Sequence, residues 1–383
     1  MSTVALLGAT ASGKSAVALA VARRRGDCEI VSVDSMCVYR GMDIGTSKPD
    51  AAARAAVPHH LLDLVDPDEE FALTQFQEAA RAAMEAIAAR GRHALLVGGT
   101  GLYLRAVVDD LDIPGRYPDV AASLEAELDG GRARTVELHA RLAALDPLGA
   151  SRMEPTNRRR VVRALEVTLG SGRPFSAFGP GLEAYPASGV AQVGLTLGPE
   201  ETERRIAERF AAMVDAGLID EVRALAARPA GMSRTARQAL GYRELLAHVE
   251  EGRPLDDCLD EAVRRTRQYA RRQASWFRRD PRVRWARSER EAHEEVVPGR
   301  VEFGKAELHV RSAVVAGRPA LQIARTTGAS RSGFRAAPIQ RTRGSRRNHI
   351  RWRRANRRVR RTARSSASSR VAMSPARYAS TSL

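Results

Sequence analysis

The sequence predicts an α/β protein: a parallel sheet that carries a phosphate-binding loop, an all-helical insertion, and a disordered basic C-terminal tail. Apolar, strand-like runs at 4–7, 29–33 and 94–97 alternate with helical patterns, and a fourth run lies at 190–197. Strands that alternate with helices are typical of right-handed βαβ units, which build parallel sheets. Between the third and fourth runs the patterns are helical only, from about 116 to 186. We therefore predict that a helical domain interrupts the sheet.

A P-loop follows the first strand-like run directly. Its consensus, G-x-x-x-x-G-K-[ST], is met by Gly8, Ala9, Thr10, Ala11, Ser12, Gly13, Lys14 and Ser15. The glycines let successive backbone N–H groups point at an anion, Lys14 adds a positive charge, and the Ser15 hydroxyl can hold Mg²⁺. An ordinary glycine turn is the alternative, but a helical pattern at 15–25 supplies the required order of strand, loop and helix. We expect a P-loop NTPase-like core that binds a diphosphate.

Lysine is rare in this chain. Of the 62 basic residues, three are lysines, at Lys14, Lys48 and Lys305. A lysine is expected where the site needs a slim ammonium group that a planar guanidinium cannot replace, and the P-loop position of Lys14 is such a site. Lys48 closes the turn-rich segment 43–49 and is either functional or a solvated loop lysine.

The net charge of +17 is concentrated at the C-terminus. Residues 301–383 carry 20 Arg and Lys against 2 acidic residues, so the first 300 residues are almost neutral. Polyanion binding by the body must therefore use local patches, such as 157–163 and 264–279. Beyond Pro298 the periodicity fades, and 299–383 is expected to be disordered. This tail is either an electrostatic arm for nucleic acid or an out-of-frame translation of a GC-rich gene end.

Cysteine spacing and hydropathy indicate a cytosolic protein. Cys28, Cys37 and Cys258 have neither metal-ligand spacing nor a paired pattern, which suits a reducing compartment. No run approaches 18 consecutive apolar residues, and the N-terminus enters a strand too early for a signal peptide. We expect neither membrane association nor secretion.

The remaining helices and the boundaries follow from periodicity and caps. A helix at 74–90 ends at Gly91, and the insertion holds helices at 119–128, 135–145 and 157–169, the last with Asn157 as cap and Gly170 as stop. Further helices are predicted at 200–215, 218–227 and 258–279. The predicted domains are 1–115 and 187–298 for the two parts of the core, 116–186 for the insertion and 299–383 for the tail.

A carboxylate and a hydroxyl follow two other strands of the predicted sheet. Asp34 ends the second strand-like run, and Thr100 lies in the glycine-rich turn 98–101 after the third. Ligands of open α/β sheets bind beyond the carboxyl ends of the strands, which brings both residues to the P-loop. A carboxylate beside phosphates is costly unless metal binding or catalysis requires it, so Asp34 is a candidate general base or Mg²⁺ helper. The alternative is an aspartate that caps a helix or forms hydrogen bonds within the core.

Several ordered motifs together resemble the tRNA dimethylallyltransferase (tRNA isopentenyltransferase) family over roughly 1–286. They are the P-loop, Asp34-Ser-Met, Tyr39-Arg-Gly-Met-Asp-Ile-Gly-Thr-Ser-Lys-Pro49, Pro58-His-His-Leu-Leu-Asp63, Gly98-Gly-Thr-Gly-Leu-Tyr103, Arg163-Ala-Leu-Glu166, Gly241-Tyr-Arg243 and Arg272-Gln-Ala-Ser-Trp-Phe277. The resemblance implies transfer of a dimethylallyl group from dimethylallyl diphosphate to N6 of an adenine. That adenine is next to the anticodon on its 3′ side, in tRNAs that read codons beginning with U.

The resemblance also implies roles for individual residues. Asp34 and Thr100 are catalytic, Arg209 clamps the diphosphate with the P-loop, and Ser15 binds Mg²⁺. The helical insertion grips the anticodon stem-loop, and the protein is expected to be a monomer. The implied tRNA-contacting positions are Asp34, Ser35, Met36, Cys37, Thr100, Ala121, Arg159, Arg160, Val161, Val162, Arg163, Gln238, Ala239, Leu240, Gly241, Tyr242, Arg243, Arg271, Arg272, Gln273, Trp276 and Arg278.

Three positions depart from the family pattern. Cys37 and Arg159 stand where glutamine is frequent, and Ala121 stands where an arginine or lysine often touches tRNA, so that contact is expected to be missing. The arginines of 157–163 and 264–279 have solvated helix faces as their plain alternative. Trp276 and Phe277 are expected to be core anchors.

Three other functions remain open at this point. A P-loop kinase for a small metabolite would turn over ATP and leave tRNA unmodified. A non-catalytic RNA-binding protein would not need Asp34. An enzyme acting on a free adenine nucleotide would not need the helical insertion.

Overall fold

The computed structural model describes residues 2–296, and the predicted tail 299–383 lies outside them. One parallel sheet has the strand order β3-β2-β4-β1-β5-β6. Its strands are β1 (Thr3–Gly8), β2 (Cys28–Val33), β3 (His59–His60), β4 (His93–Gly98), β5 (Val190–Leu195) and β6 (Val283–Ala286). The predicted α/β class with a parallel sheet is confirmed.

Fourteen α-helices surround or extend this sheet within residues 2–296. They are α1 (Lys14–Arg25), α2 (Ala51–Ala56), α3 (Leu73–Ala89), α4 (Gly101–Val108), α5 (Pro118–Asp129), α6 (Thr135–Leu145), α7 (Pro147–Ser151), α8 (Arg158–Ser171), α9 (Pro199–Ala216), α10 (Leu218–Ala226), α11 (Arg234–Arg237), α12 (Tyr242–Glu251), α13 (Leu255–Phe277) and α14 (Glu289–Val296). A 3₁₀ helix spans Phe175–Phe178.

The strands are apolar along their whole length because both faces of the sheet are covered. In β1, Val4 and Leu6 point to one face, where they pack with α1 and α14, while Ala5 and Leu7 point to the other face, toward α3, α9, α12 and α13. All four side chains are buried. This double covering explains why the four longest strands were predictable from apolar runs.

Two strands and six helices were not predicted from the sequence. β3 has only two residues, and β6 has four, of which only Val283 and Ala286 are buried. Such short elements give too little periodicity to stand out. Helices α2, α7 and α11, with four to six residues each, were missed for the same reason. Helices α4, α12 and α14, with eight to ten residues each, were not predicted either.

The residues between α4 and β5 form a helical cluster with its own buried side chains. Leu124, Leu138, Leu142 and Leu165 from α5, α6 and α8 pack together at 2% exposure or less. The predicted helices at 119–128, 135–145 and 157–169 are all present. The domain boundaries at 116 and 186 stay predictions.

The predicted stop at Gly170 is wrong. Asn157 does cap α8, with its side-chain oxygen accepting a hydrogen bond from Arg160 N at 3.2 Å, but the helix runs on to Ser171 and ends at Gly172, which has φ +70°. Gly170 has another use: a Cβ there would collide with the Tyr117 ring, so the glycine permits close packing of the chain entering α5.

The two segments that join this cluster to the sheet are held differently. On the way in, Arg163 of α8 donates to Pro114 O at 2.8 Å. On the way back, Arg105 of α4 donates to Leu182 O at 3.0 Å and to Ala184 O at 2.6 Å. The entering segment is therefore tied to the helical cluster, and the returning segment is tied to the sheet domain.

Candidate active site

Three loops meet at the carboxyl edge of the sheet. The P-loop follows β1, Asp34 follows β2 and Thr100 follows β4, and these three strands are neighbours in the order β2-β4-β1. Ser35 N donates a hydrogen bond to Thr100 Oγ1 at 3.4 Å, so the Asp34 and Thr100 loops touch. Parallel topology thus gathers residues that are far apart in sequence.

The P-loop backbone is shaped to hold an anion. α1 begins at Lys14, directly after Gly13 with φ +95°, and Ala11 has φ +63°. A side chain at Gly8 would collide with Leu195 O and Ser12 Oγ. The Ser12 hydroxyl is buried without a hydrogen-bond partner among the described residues. The glycines and the free N-terminus of α1 leave backbone donors and a hydroxyl for a ligand.

Two cations face this loop. Lys14 Nζ donates to Ala9 O at 3.4 Å, and Arg209 of α9 donates from Nη1 to Thr10 Oγ1 at 3.2 Å and from Nε to Ser47 Oγ at 2.8 Å. Burial, and then the positive charge of Arg209, lowers the pKa of Lys14 to about 8. Burial also lowers the pKa of Arg209. A bound diphosphate would relieve this repulsion, since it supplies the missing negative charge.

The two carboxylate oxygens of Asp34 have different surroundings. Its Oδ1 accepts a hydrogen bond from Met36 N at 2.8 Å, which closes an Asx-type turn rather than capping a helix, since the next helix begins at Ala51. Within residues 2–296 its Oδ2 has no hydrogen-bond partner, and the carboxylate lines a cleft with Thr10, Thr100 and Arg209. One oxygen fixes the side chain, and the other is available for chemistry.

The cleft has a volume of about 560 Å³ and collects many of the residues expected to form the site. It is large enough for a purine base with a short isoprenoid chain. Those lining it are Thr10, Asp34, Ser35, Met36, Thr100, Arg209, Gln238, Ala239, Leu240, Tyr242, Arg243 and Arg272. Gly241, with φ +86°, lies between two of them and is the N-cap residue of α12.

Other expected tRNA contacts lie in the helical cluster or the core. Arg159 and Arg160 are exposed on α8 and Ala121 is on α5, whereas the side chains of Val161 and Val162 are buried in the cluster. Those two valines can therefore contact a ligand only through their backbone. Arg163 is partly used inside the protein, with Nη1 donating to Glu166 at 2.7 Å.

The residues of α13 that were expected to contact tRNA also differ in exposure and in their partners within the protein. Arg271, Arg272 and Arg278 are exposed, although Arg271 lies 3.6 Å from Glu203 and Arg278 Nε donates to Ala274 O. Trp276 is half-buried against Gly101, and Phe277 is buried, as expected of core anchors.

Several polar side chains have structural partners that the sequence did not reveal. Lys48 is neither solvated nor open to the cleft: its ammonium is buried and binds Asp43 at 2.8 Å and Asp63 at 2.5 Å. Tyr242 is fully buried and donates to Glu221, so its hydroxyl is not available to RNA. Cys37 is buried, and burial raises the pKa of its thiol.

Between residues 2 and 296, no three His, Cys, Asp or Glu side chains converge on a metal-sized site. None of the helices there is long and apolar enough to cross a bilayer.

Known proteins match both the sequence and this geometry. Residues 37–280 match the model of a family described as IPP transferase. A tRNA dimethylallyltransferase of Streptomyces coelicolor is 47% identical over 284 residues, which cover 74% of this chain and 89% of that protein. The chain belongs to the IPP transferase family. The resemblance found from the motifs is thereby confirmed.

Further members of the IPP transferase family and solved structures agree. A tRNA dimethylallyltransferase of Kineococcus radiotolerans is 49% identical over 289 residues, covering 74% of this chain and 89% of that protein. The full-length tRNA isopentenylpyrophosphate transferase of Bacillus halodurans is 35% identical, with a TM-score of 0.55, and the match covers 77% of this chain and 95% of that one. A eukaryotic dimethylallyltransferase captured acting on tRNA has a TM-score of 0.64 at 25% identity, over 77% and 78% of the two chains.

Proposed function

We propose that this chain transfers a dimethylallyl group from dimethylallyl diphosphate to N6 of an adenine in tRNA. The adenine is the one next to the anticodon on its 3′ side, in tRNAs that read codons beginning with U. The observation that carries the proposal is the placement of Asp34 in the same cleft as Arg209 and the P-loop. A carboxylate on one side and an anion-binding loop on the other fit an amine that attacks as a diphosphate leaves.

The leaving group is stabilised by charge. The allylic C1–O bond breaks, and its electron pair leaves with pyrophosphate, which Lys14, Arg209 and the P-loop N–H groups receive. No ATP is consumed. Mg²⁺, when bound, neutralises further diphosphate charge; we propose the Ser15 hydroxyl, in the first turn of α1, as its protein ligand, which suits the preference of Mg²⁺ for oxygen.

The acceptor is prepared by Asp34. The exocyclic amine of adenine is a poor nucleophile because its lone pair is delocalised into the ring. As the N6–C1 bond forms, Asp34 Oδ2 takes the proton that N6 loses, while Oδ1 stays bound to Met36 N. Thr100 Oγ1 accepts from Ser35 N, which supports a role for Thr100 in aligning the two substrates.

The RNA is held by exposed arginines around the cleft and on the helical cluster. Arg243 and Arg272 line the cleft, and Arg159 and Arg160 are exposed on α8. An anticodon loop is single-stranded, so a base can leave its stack at small cost and enter the cleft. We expect the protein to act as a monomer in the cytosol.

Mass spectrometry of RNA tests the reaction. The full chain is incubated with dimethylallyl diphosphate, Mg²⁺ and an anticodon stem-loop, which should gain the mass of one C₅H₈ unit per molecule. Asp34→Asn keeps the shape of the side chain and should lower kcat by about 10²–10⁴ while pyrophosphate binding persists. A parallel incubation contains ATP as well; unmodified RNA with ADP formed there would favour the kinase alternative. Full activity of Asp34→Asn would overturn the role of the base.

A further inference from the structure

The loop 43–48 is held by a carboxylate from a distant helix. Glu221 of α10 accepts hydrogen bonds from Asp43 N at 3.0 Å and Ile44 N at 2.8 Å through Oε2. Through Oε1 it accepts from Gly45 N at 3.3 Å and from the Tyr242 hydroxyl at 2.5 Å. One carboxylate therefore satisfies three successive backbone amides and a buried phenol, which is the pattern of an anion in a backbone nest.

Tyr242 seals this arrangement. Its side chain is fully buried, and a Cβ on Gly45 would collide with its ring, so the loop lies directly against the hydroxyl end of the ring. Burial, and then the Glu221 carboxylate, raises the pKa of Tyr242, so that its hydroxyl stays a donor. The far end of the loop is fixed by Lys48, which binds Asp43 and Asp63.

The loop in turn holds the diphosphate clamp. Ser47 has φ +54°, a left-handed conformation that costs a non-glycine residue energy and persists only where the surroundings enforce it. In this conformation its Oγ accepts from Arg209 Nε at 2.8 Å, while Arg209 Nη1 reaches Thr10 of the P-loop. With Nε and Nη1 anchored, the guanidinium plane is fixed and its remaining N–H groups can face a ligand.

We propose that Glu221 is a positioning residue for the reaction: through the loop 43–48 and Ser47, it sets the orientation in which Arg209 meets the diphosphate. Glu221 does not touch substrate. The inference rests on the proposed function, because it assumes that a diphosphate occupies the P-loop. Fixing a flexible arginine in advance strengthens ligand binding because less side-chain freedom is lost on association.

A double-mutant cycle with pyrophosphate as the probe tests this link. Calorimetry on the full chain measures pyrophosphate Kd for wild type, Glu221→Gln, Arg209→Gln and the double variant. Glutamine has nearly the shape of glutamate, but its NH₂ group cannot accept from the loop amides. Glu221→Gln should weaken binding about tenfold in the wild-type background and less than about twofold in the Arg209→Gln background.

Controls separate this role from general stability. Asp220→Asn, the neighbouring exposed acid that pairs with Arg223, should leave Kd unchanged. Tyr242→Phe and Ser47→Ala remove one partner each at little risk to folding, and both should weaken binding in the same direction, again only when Arg209 is present. Equal losses for Glu221→Gln in both backgrounds overturn the inference while leaving the proposed function intact; absence of pyrophosphate binding by wild type overturns both.

Discussion

The Gln273 side chain in α13 accepts a hydrogen bond from Thr10 N of the P-loop at 2.9 Å. Its Nε2 donates to Gly99 O at 2.7 Å, so one buried amide joins the P-loop to the turn that carries Thr100. A side chain expected to touch tRNA is thus used inside the protein, as a brace between two loops of the candidate active site.

Gln273→Glu tests this brace. The carboxylate can still accept from Thr10 N, but it cannot donate to Gly99 O and adds negative charge beside the P-loop. We expect KM for dimethylallyl diphosphate to rise about tenfold or more. Gln77→Glu is the matched control, because that amide also donates to a backbone carbonyl, Ala106 O at 2.8 Å, but from α3; it should lower thermal stability and leave KM unchanged. If KM for dimethylallyl diphosphate is comparable in the two variants, Gln273 is not part of the candidate active site.

The pH dependence of diphosphate binding should reflect Lys14. Since its pKa is lowered to about 8, the free protein loses this positive charge as pH rises past that value. Steady-state kcat/KM for dimethylallyl diphosphate should therefore be constant below about pH 7.5 and fall above about pH 8. In Arg209→Gln the repelling charge is gone, and the falling limb should move to higher pH. A profile that is the same in both proteins would contradict this account.

Two arginines on α8, Arg158 and Arg160, should differ in their effect on RNA binding. Arg160 is exposed and its side chain has no partner among residues 2–296, whereas Arg158 binds Asp129 at 2.7 Å and also Glu125. Arg160→Gln should weaken anticodon stem-loop binding and reduce the salt slope of log Kd by about 1, and Arg158→Gln should change the slope less. Titrations at several salt concentrations measure both. Equal slopes for the two variants would indicate that α8 presents a solvated face.

The free energy of unfolding should depend on pH through Glu29, a buried carboxylate at the edge of the sheet opposite the candidate active site. Glu29 is 3% exposed and accepts from Arg90 at 2.7 Å and from His60 at 2.6 Å. Burial raises the pKa of Glu29, but the hydrogen bonds from Arg90 and His60 outweigh it and hold the pKa below its ordinary value. The resulting stabilisation is present above the unfolded pKa of about 4.3 and is lost as pH falls through the lower native pKa.

Glu29→Gln should accordingly cost about 3 kcal/mol at pH 7 and less near pH 4, as measured by urea unfolding. The control is Glu294→Gln, whose pair with Arg290 is exposed to solvent and should contribute very little to stability at either pH. If Glu29→Gln lowers the free energy of unfolding by the same amount at both pH values, the shape of the Glu29 side chain rather than its charge stabilises the protein.

The sequence predicted best those site residues whose position follows from their immediate neighbours in the chain. The P-loop, Asp34 and Thr100 each directly follow a strand that is apolar because both faces of the sheet are covered, so β1, β2 and β4 and the residues after them were all predictable. Parallel topology then required the three loops to meet.

Contacts between distant elements could not be predicted in this way. Glu221 and Gly45 are 176 residues apart, and Gln273 and Thr10 are 263 apart. Nothing in the local pattern of Lys48, Tyr242 or Gln273 separates a buried structural partner from a ligand-binding side chain, since both need the same donor and acceptor groups. The roles of these residues depend on which helices pack above the sheet.

The pairing of β1 with β5 has a consequence for synthesis on the ribosome. Thr3 to Gly8 are flanked by β4 on one side and by Val190 to Leu195 on the other, with the whole helical cluster encoded between those two partners. At roughly 5–20 residues per second, one hydrogen-bonding edge of the first strand stays open for about 5–20 s after the fourth strand has emerged. An open apolar edge invites association between growing chains, so polypeptides arrested before residue 190 should capture chaperones in a pull-down, and those arrested well after 195 should not.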